Sequence, residues 1–316
     1  MIYPIQSLVA GIADLDDGDP VLGEVLELAR RTRAHLHLVH AFELPSLAWD
    51  AYGRMGYMDP DVLEQYANSL RDRLAHTVAE QGGYDDVSYH AVAAPSATAI
   101  RDVALNERAD LIVVGATRHG AVARVLLGTT AQRVLRGAKV PILVLRQHLT
   151  RTCHRALLTT DLSPFSAGVH ELGLDVLETM CEGHRPEVRT VLVVRSSMGL
   201  PAPFRFDQLQ EMAEGELKKF IEQRRERASG ITGVVRFGDP VEEIAAEADA
   251  WKPDVVLVGT HSRTTSERWL LGSVAEAAIR SITANVLVIP AKAEEQRELP
   301  IRRTAETAVV APPKHD

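Results

Sequence analysis

Residues 111–145, LIVVGATRHGAVARVLLGTTAQRVLRGAKVPILVL, align without a gap to residues 255–289, VVLVGTHSRTTSERWLLGSVAEAAIRSITANVLVI. Each stretch holds an apolar strand, a turn opening on glycine (Gly115, Gly259), a loop, and a Gly-Thr or Gly-Ser pair (Gly128-Thr129, Gly272-Ser273). An amphipathic segment of helical period and a second apolar strand follow. A strand feeding a loop that ends at a helix N-terminus offers backbone N–H groups to an anion, because the first amides of a helix have no partner inside it.

The similarity continues upstream. DVALNERADLIVVG, ending at Gly115, parallels EIAAEADAWKPDVVLVG, ending at Gly259, and Ile100 matches Ile244 at the same offset of 144 residues. Near the start, SLVAGIAD resembles ALLTTDLSPFS (156–166) at an offset grown to about 149, which implies a short insertion or deletion between the copies. The repeating unit is a whole domain and not a solenoid module of about 20–50 residues. The boundaries read from this pattern are a first domain over 1–149, a second over 150–292, and a tail over 293–316 expected to be disordered. Thr150-Arg151-Thr152 is the short join.

A chain of 316 residues with 46% hydrophobic content can bury two such cores. No run of eighteen apolar residues and no basic leader occurs, so a cytoplasmic protein without membrane contact is expected. A net charge of −8 argues against nucleic acid as a partner. The two cysteines, Cys153 and Cys181, lack the spacing of a metal or redox motif.

Strand and helix patterns alternate throughout. In the first half they run LVAGI (8–12), a helix over 20–33, HLHLVHAF (35–42), a helix that Asp59 caps and Pro60 opens, VSYHAVA (87–93), a helix from Ser96, DLIVVG, a helix from Thr129, and VPILVLR. The second half repeats the order, with a helix around Ser166 to Cys181 and another near Phe206 to Arg227. Apolar strands separated by helices predict an α/β fold: two tandem Rossmann-like domains, each a five-stranded parallel sheet with helices on both faces. Ligands then belong at the carboxyl ends of the strands.

Gly259-x-x-Ser262, nine residues, then Gly272-Ser273, set between DVVLVG and NVLVIP, resembles the signature of the universal stress protein family, Gly-x-x-Gly, nine residues, Gly-Ser/Thr. LLTTD, ending at Asp161, and Gly238-Asp239-Pro240 before a helix containing Ile244 extend the likeness over roughly 2–146 and 153–292. The resemblance implies an adenine nucleotide α-hydrolase-like fold and a stress-response regulator that binds ATP, with Mg, or a related adenine nucleotide. It implies that Asp161, beside Thr159, holds the ribose, and that Val193 or Val194 lines the adenine. Gly259 and Ser262 would meet the phosphates, Gly272, Ser273 and Val274 would offer backbone N–H groups, and Gly238 and Pro240 would complete the site.

Both halves lack the second glycine of that signature, with Arg118 in the first and Ser262 in the second. Arg118 is expected to fill the first half's phosphate site, although Gly120 restores some freedom to that loop. Aligned simply, Ile12 stands opposite Asp161, Asp14 and Asp16 are displaced by two and four positions, and Ala94-Pro95-Ser96 replaces Gly238-Asp239-Pro240. The weaker first-half candidates are Gly115, Arg118, Gly120, Gly128 and Thr129, and that half is expected to be structural. The plain reading of the second half makes Gly259 a turn, Asp161 a cap or turn residue and Gly272-Ser273 an N-cap.

His35 and His37 share a strand face, but with no acidic or cysteine partner evident they are expected to be structural, and no metal is assigned. No Gly-x-Ser-x-Gly, His-Glu-x-x-His or Gly-Lys-Ser/Thr occurs, so no catalytic residue is named and fast turnover is not expected. A nucleotide-independent interaction module is one alternative and a slow adenine-nucleotide hydrolase a second. The apolar strands VPILVLR and NVLVIP, read as the last of each sheet, invite pairing of the halves as a pseudo-dimer. Whole chains then have further surfaces for a homodimer or an unknown protein partner.

Overall fold

The computed structural model describes residues 3–15, 19–43, 60–116, 127–149, 153–195, 206–224, 226, 230–260 and 272–290. Asp16, the loop over 44–59 with Asp59, Arg118, Gly120, the join at 150–152, Ser262 and the 293–316 segment lie outside the described residues.

The first half runs β1 (Ser7–Gly11), α1 (Pro20–Thr32), β2 (His35–Phe42), α2 (Pro60–Glu80), β3 (Val87–Ala93), α3 (Ser96–Asn106), β4 (Leu111–Gly115), α4 (Thr129–Leu135) and β5 (Ile142–Leu145). The second runs β6 (Arg155–Thr160), α5 (Pro164–Met180), β7 (Glu187–Val194), α6 (Phe206–Glu222), β8 (Gly230–Phe237), α7 (Pro240–Trp251), β9 (Val255–Gly259), α8 (Ser273–Ser281) and β10 (Asn285–Ile289). The helix expected to reach Arg227 ends at Glu222, where Arg224 N–H closes on the Ile221 carbonyl at 2.8 Å.

All ten strands form one sheet in the order β3-β2-β1-β4-β5-β10-β9-β6-β7-β8. Pairing within each half is parallel, and β5 meets β10 antiparallel with Leu143 opposite Leu287. The strands read as the last of each sheet therefore stand side by side at the centre, and β3 and β8 form the outer edges.

Alternation along each strand feeds two cores, one per face. Leu8, Ala10, Leu111, Val113, Leu143, Leu257 and Leu287 point toward α1 and α5, while Val9, Ile112, Val114, Val144, Val256 and Val286 point toward α3, α4, α7 and α8. Each core crosses from one half into the other. Burial of these side chains from both faces explains why the strands read as continuous apolar runs.

Two acidic residues repeat one tie in both halves. Asp110 Oδ2 accepts the Gln6 and Ser7 amides at 2.7 and 2.9 Å, and Asp254 Oδ2 accepts the His154 and Arg155 amides at the same two distances. Between the halves, buried Asn285 accepts the Arg146 and Gln147 amides at 2.8 and 3.1 Å, prolonging the β5–β10 contact. Arg136 of α4 reaches both carboxylate oxygens of Glu276 on α8 at 2.9 Å.

The register locates the length difference between the copies. Leu8 pairs with Leu111 as Ala156 pairs with Val255, an offset of 148 in the first strands, whereas α1 and α5 open on Pro20 and Pro164, 144 apart. The first half thus carries four more residues between its first strand and first helix. The offset of about 149 read from sequence is corrected by one, and the counterpart of Asp161 is Ala13, not Ile12.

Candidate functional site

The carboxyl ends of β6, β7 and β9 gather most of the second-half candidates. Beyond β6, a loop of three residues separates Thr160 from Pro164, and Ser163 caps α5 by accepting the Ser166 amide at 3.1 Å. Asp161 is half-buried, and its Oδ1 accepts the Ser163 amide at 3.0 Å and the Ser163 hydroxyl at 2.5 Å. The turn role read for Asp161 is thus present, and Ser163 is the cap. Thr159 donates its hydroxyl to the Leu257 carbonyl at 3.2 Å, and its own carbonyl pairs with His170 Nε2 at 3.1 Å. Burial pushes His170 down to about 4, so a neutral imidazole donates to that carbonyl from behind the strand.

At the end of β7, Val193 and Val194 are half-buried and turn to opposite faces. Val193 packs with the core that holds Ile244 and Trp251, and Val194 with Leu192, Leu217 and Ile221. Gly238 N–H donates to the Val194 carbonyl at 3.0 Å, holding the start of the α7 turn against β7. Asp239 then caps α7 through the Val241 and Glu242 amides at 2.9 and 3.3 Å, with Pro240 in the first turn.

Gly259 ends β9 where a Cβ would lie 3.0 Å from Val169 and 3.1 Å from Phe165, so α5 packs on it directly. Gly115 stands in the same relation to α1, 2.5 Å from Val21. Close helix approach is one reason for glycine at both positions. Thr260 N–H bonds to the Ile289 carbonyl at 3.2 Å and the Thr260 carbonyl takes the Gly272 amide at 2.8 Å, which sets the start of α8 against the end of β9. Gly272 has no side chain to cap α8, so among the described residues the helix opens at Ser273 and Val274 without a side-chain acceptor.

The first half is built differently at the same place. Asp19, 6% exposed, caps α1 through the Val21 amide at 2.8 Å and reaches back to accept the Ala13 and Asp14 amides at 2.7 and 3.3 Å. The longer loop is thereby tied down by its own carboxylate. Ile12 is buried, and its amide bonds to the Val39 carbonyl at 2.9 Å. Pro95 precedes α3 without a side-chain cap bond, and α4, from Thr129 behind Gly128, has seven residues against nine in α8. Asp19 was missed from sequence because nothing in its spacing shows a carboxylate folding back on its own loop.

These features define a tandem, doubly wound α/β protein whose second half gathers Thr159, Asp161, Gly238 and Gly259 at its strand ends. The universal stress protein family model matches residues 4–146 and 153–290, and the chain belongs to that family. It is similar to universal stress protein A homolog 2 of Coxiella burnetii, 33% identical over 141 residues, 44% of this chain and 92% of that one. A universal stress protein of Methanocaldococcus jannaschii is 36% identical over 109 residues, 33% of this chain, and the match spans 64% of that protein's length. Among solved structures, a Pseudomonas aeruginosa protein described as functionally unknown superposes with a TM-score of 0.63 at 18% identity, over 93% of this chain and 96% of that one. A universal stress protein from Archaeoglobus fulgidus gives 0.57 at 18%, over 91% and 97%. Both likenesses concern the fold. No helix among the described residues is long and apolar enough to cross a membrane.

Proposed function

We propose that the second half binds ATP, with Mg, or a related adenine nucleotide, and that the protein acts as a regulator and not as an enzyme. The observation that carries this reading is the bond from Gly272 N–H to the Thr260 carbonyl, which brings a helix start whose N-cap is a glycine to the end of β9. Asp161, half-buried, lies at the end of the adjacent strand β6. A helix start without a capping side chain favours an anion by its orphan amides and its dipole. On this reading Asp161 and Thr159 lie toward the ribose, Val193 or Val194 toward the base, Gly259 and the Ser273 and Val274 amides toward phosphate, and Gly238 and Pro240 alongside; the Gly272 amide, expected to join them, is held by the Thr260 carbonyl. Ser262 would donate its hydroxyl to phosphate. Pairing of β5 with β10 makes the halves an internal pseudo-dimer, through which nucleotide would alter contacts with a partner protein or a second chain.

A nucleotide-independent interaction module is favoured by the packing of Gly259 on α5 and the turn made by Asp161, since each signature residue then has a structural reason. The test is to denature freshly purified protein, identify any released nucleotide by chromatography and mass, and repeat with Asp161→Ala. About one nucleotide per chain, lost in the variant, supports a binding site in the second half. No nucleotide and no thermal shift on adding ATP-Mg leaves the interaction module.

A further inference from the structure

At the amino ends of the strands, away from the strand-end residues above, β2, β3 and the end of α3 bring together His37, His90 and Glu107. His37 is 6% exposed, and its Nδ1 lies 3.1 Å from His90 Nε2. One ligand atom from each of His37, His90 and Glu107 falls within 4.8 Å of the others. Glu107 follows the last turn of α3 and is exposed, and no hydrogen bond or ion pair of its carboxylate occurs among the described residues.

The second half shows what this place requires. By register, His37 corresponds to Arg189, since His35 pairs with Ser7 as Glu187 pairs with Arg155. Glu107 corresponds to Trp251 at the 144-residue offset of α3 and α7. There Arg189 stacks over Trp251 at 4.7 Å and bonds to the buried Glu247 at 2.8 Å, with Arg236 on the other oxygen. A guanidinium thus fills the space between sheet and helix, and its charge is met. In the first half that cation is replaced by two imidazoles and a carboxylate, all of them electron-pair donors once the rings are neutral. Burial holds His37 down to about 4, helped by His35 and His90 and opposed by Glu107 and Asp86, and His90 is lowered as well.

We propose that His37, His90 and Glu107 form a binding site for a divalent transition-metal ion of the zinc type. Two imidazole nitrogens and one carboxylate oxygen, with water completing a tetrahedron, is a donor set that zinc accepts. Ligands of a tetrahedral zinc stand roughly 3.3 Å apart, near the 3.1 Å separation of the two ring nitrogens. The ion takes the place of the proton those nitrogens share, and Glu107 closes onto it by rotating its exposed side chain. His35 is not a ligand: its Nδ1 is held by Asp86 at 2.5 Å and its Nε2 by Ser88 at 2.8 Å. Arg71, which lies near His90, is engaged by Glu64 at 3.2 Å and by Asn68.

The full chain, stripped with a chelator and dialysed, is titrated with ZnCl2 by calorimetry and with CoCl2 by visible absorption. One zinc per chain is expected, with the intense d–d bands of tetrahedral cobalt. His90→Gln and Glu107→Gln should each weaken zinc more than about a hundredfold, beyond the 10–100-fold typical of outer-shell losses. His35→Gln and His154→Gln should bind as the parent does, the second excluding the His154–His184 pair, whose rings lie 5.7 Å apart. Absence of stoichiometric zinc or of tetrahedral bands overturns the proposal on the parent chain alone, whatever the folding of the variants. So does binding that survives both His90→Gln and Glu107→Gln, or that is lost in His154→Gln.

Discussion

The loop after β1 and the loop after β6 hold the same place in two copies of one fold, yet their carboxylates work differently. Asp19 is buried and spends its oxygens on three amides of its own loop and helix. Asp161 sits in a loop four residues shorter and is half-buried, and its Oδ1 accepts the Ser163 amide and hydroxyl. In the aligned copies Ala13 stands where Asp161 does and Asp19 where Ser163 does, so the first half's carboxylate occupies the cap position and staples the chain, and the second half's lies at the strand end. The opposite end of the sheet reverses the roles. There the second half is the closed one, with Glu247 between two arginines, and the first half leaves Glu107 and two histidines facing each other.

The largest effect expected from this contrast concerns ligand. Asp161→Ala should lower retention of adenine nucleotide more than about tenfold, roughly 1.4 kcal/mol, whereas Asp19→Ala should leave retention unchanged while lowering the melting temperature. Equal loss in both variants, read by chromatography of the released nucleotide, would break the contrast.

Acid should come next. The unfolded chain protonates His170 near 6.5 while the folded protein holds it near 4, so in that window the unfolded state binds the extra proton. Stability therefore falls as pH drops from 6.5 through 4, by up to about 3 kcal/mol for this residue. His37 adds a loss of the same sign in the first half. Urea midpoints at pH 7 and pH 5 should draw closer together in His170→Gln; an unchanged gap would remove the second half's share.

The repeated tie should behave alike in both copies. Asp110→Ala and Asp254→Ala each strip an acceptor from two strand-opening amides, and each should cost about 1–3 kcal/mol in chemical denaturation. A large inequality would show that one half carries more of the stability. The smallest effect is the cap: Asp239→Ala should cost about 1 kcal/mol, and Pro95→Ala, where no side-chain cap exists, should cost less. Calorimetric melting of the pair ranks them.

Strand and helix order was legible because the inner strands are buried from both faces, which leaves apolar runs, while helices such as α1 and α6 carry a polar stripe. The tandem repeat was legible for the same reason around Gly115 and Gly259. The exact register of β1 against β6 was not, since Ile12 and Ala13 are both apolar and only the pairing of Leu8 with Leu111 distinguishes them. The tie made by Asp110 and Asp254 was available as an aspartate before each DLIVVG-like strand, but its bond partners lie about a hundred residues away. The sequence pairs His37 with His35, its neighbour on one strand face. Its nearest ring-nitrogen partner came from β3, and the acid from the end of α3, a meeting that only the sheet order produces.

The antiparallel seam of β5 and β10 has one more implication. In a pair of identical separate chains, a twofold contact must use every residue twice, so a charge that suits one side has to suit its mirror image. Here Glu276 binds both Arg136 and Arg280, while its counterpart by the 144-residue offset is Gln132. Covalent linkage keeps the unlike sides of such a lopsided seam together at any dilution. Mixing separately made halves would allow the wrong couples to form; the single chain admits one.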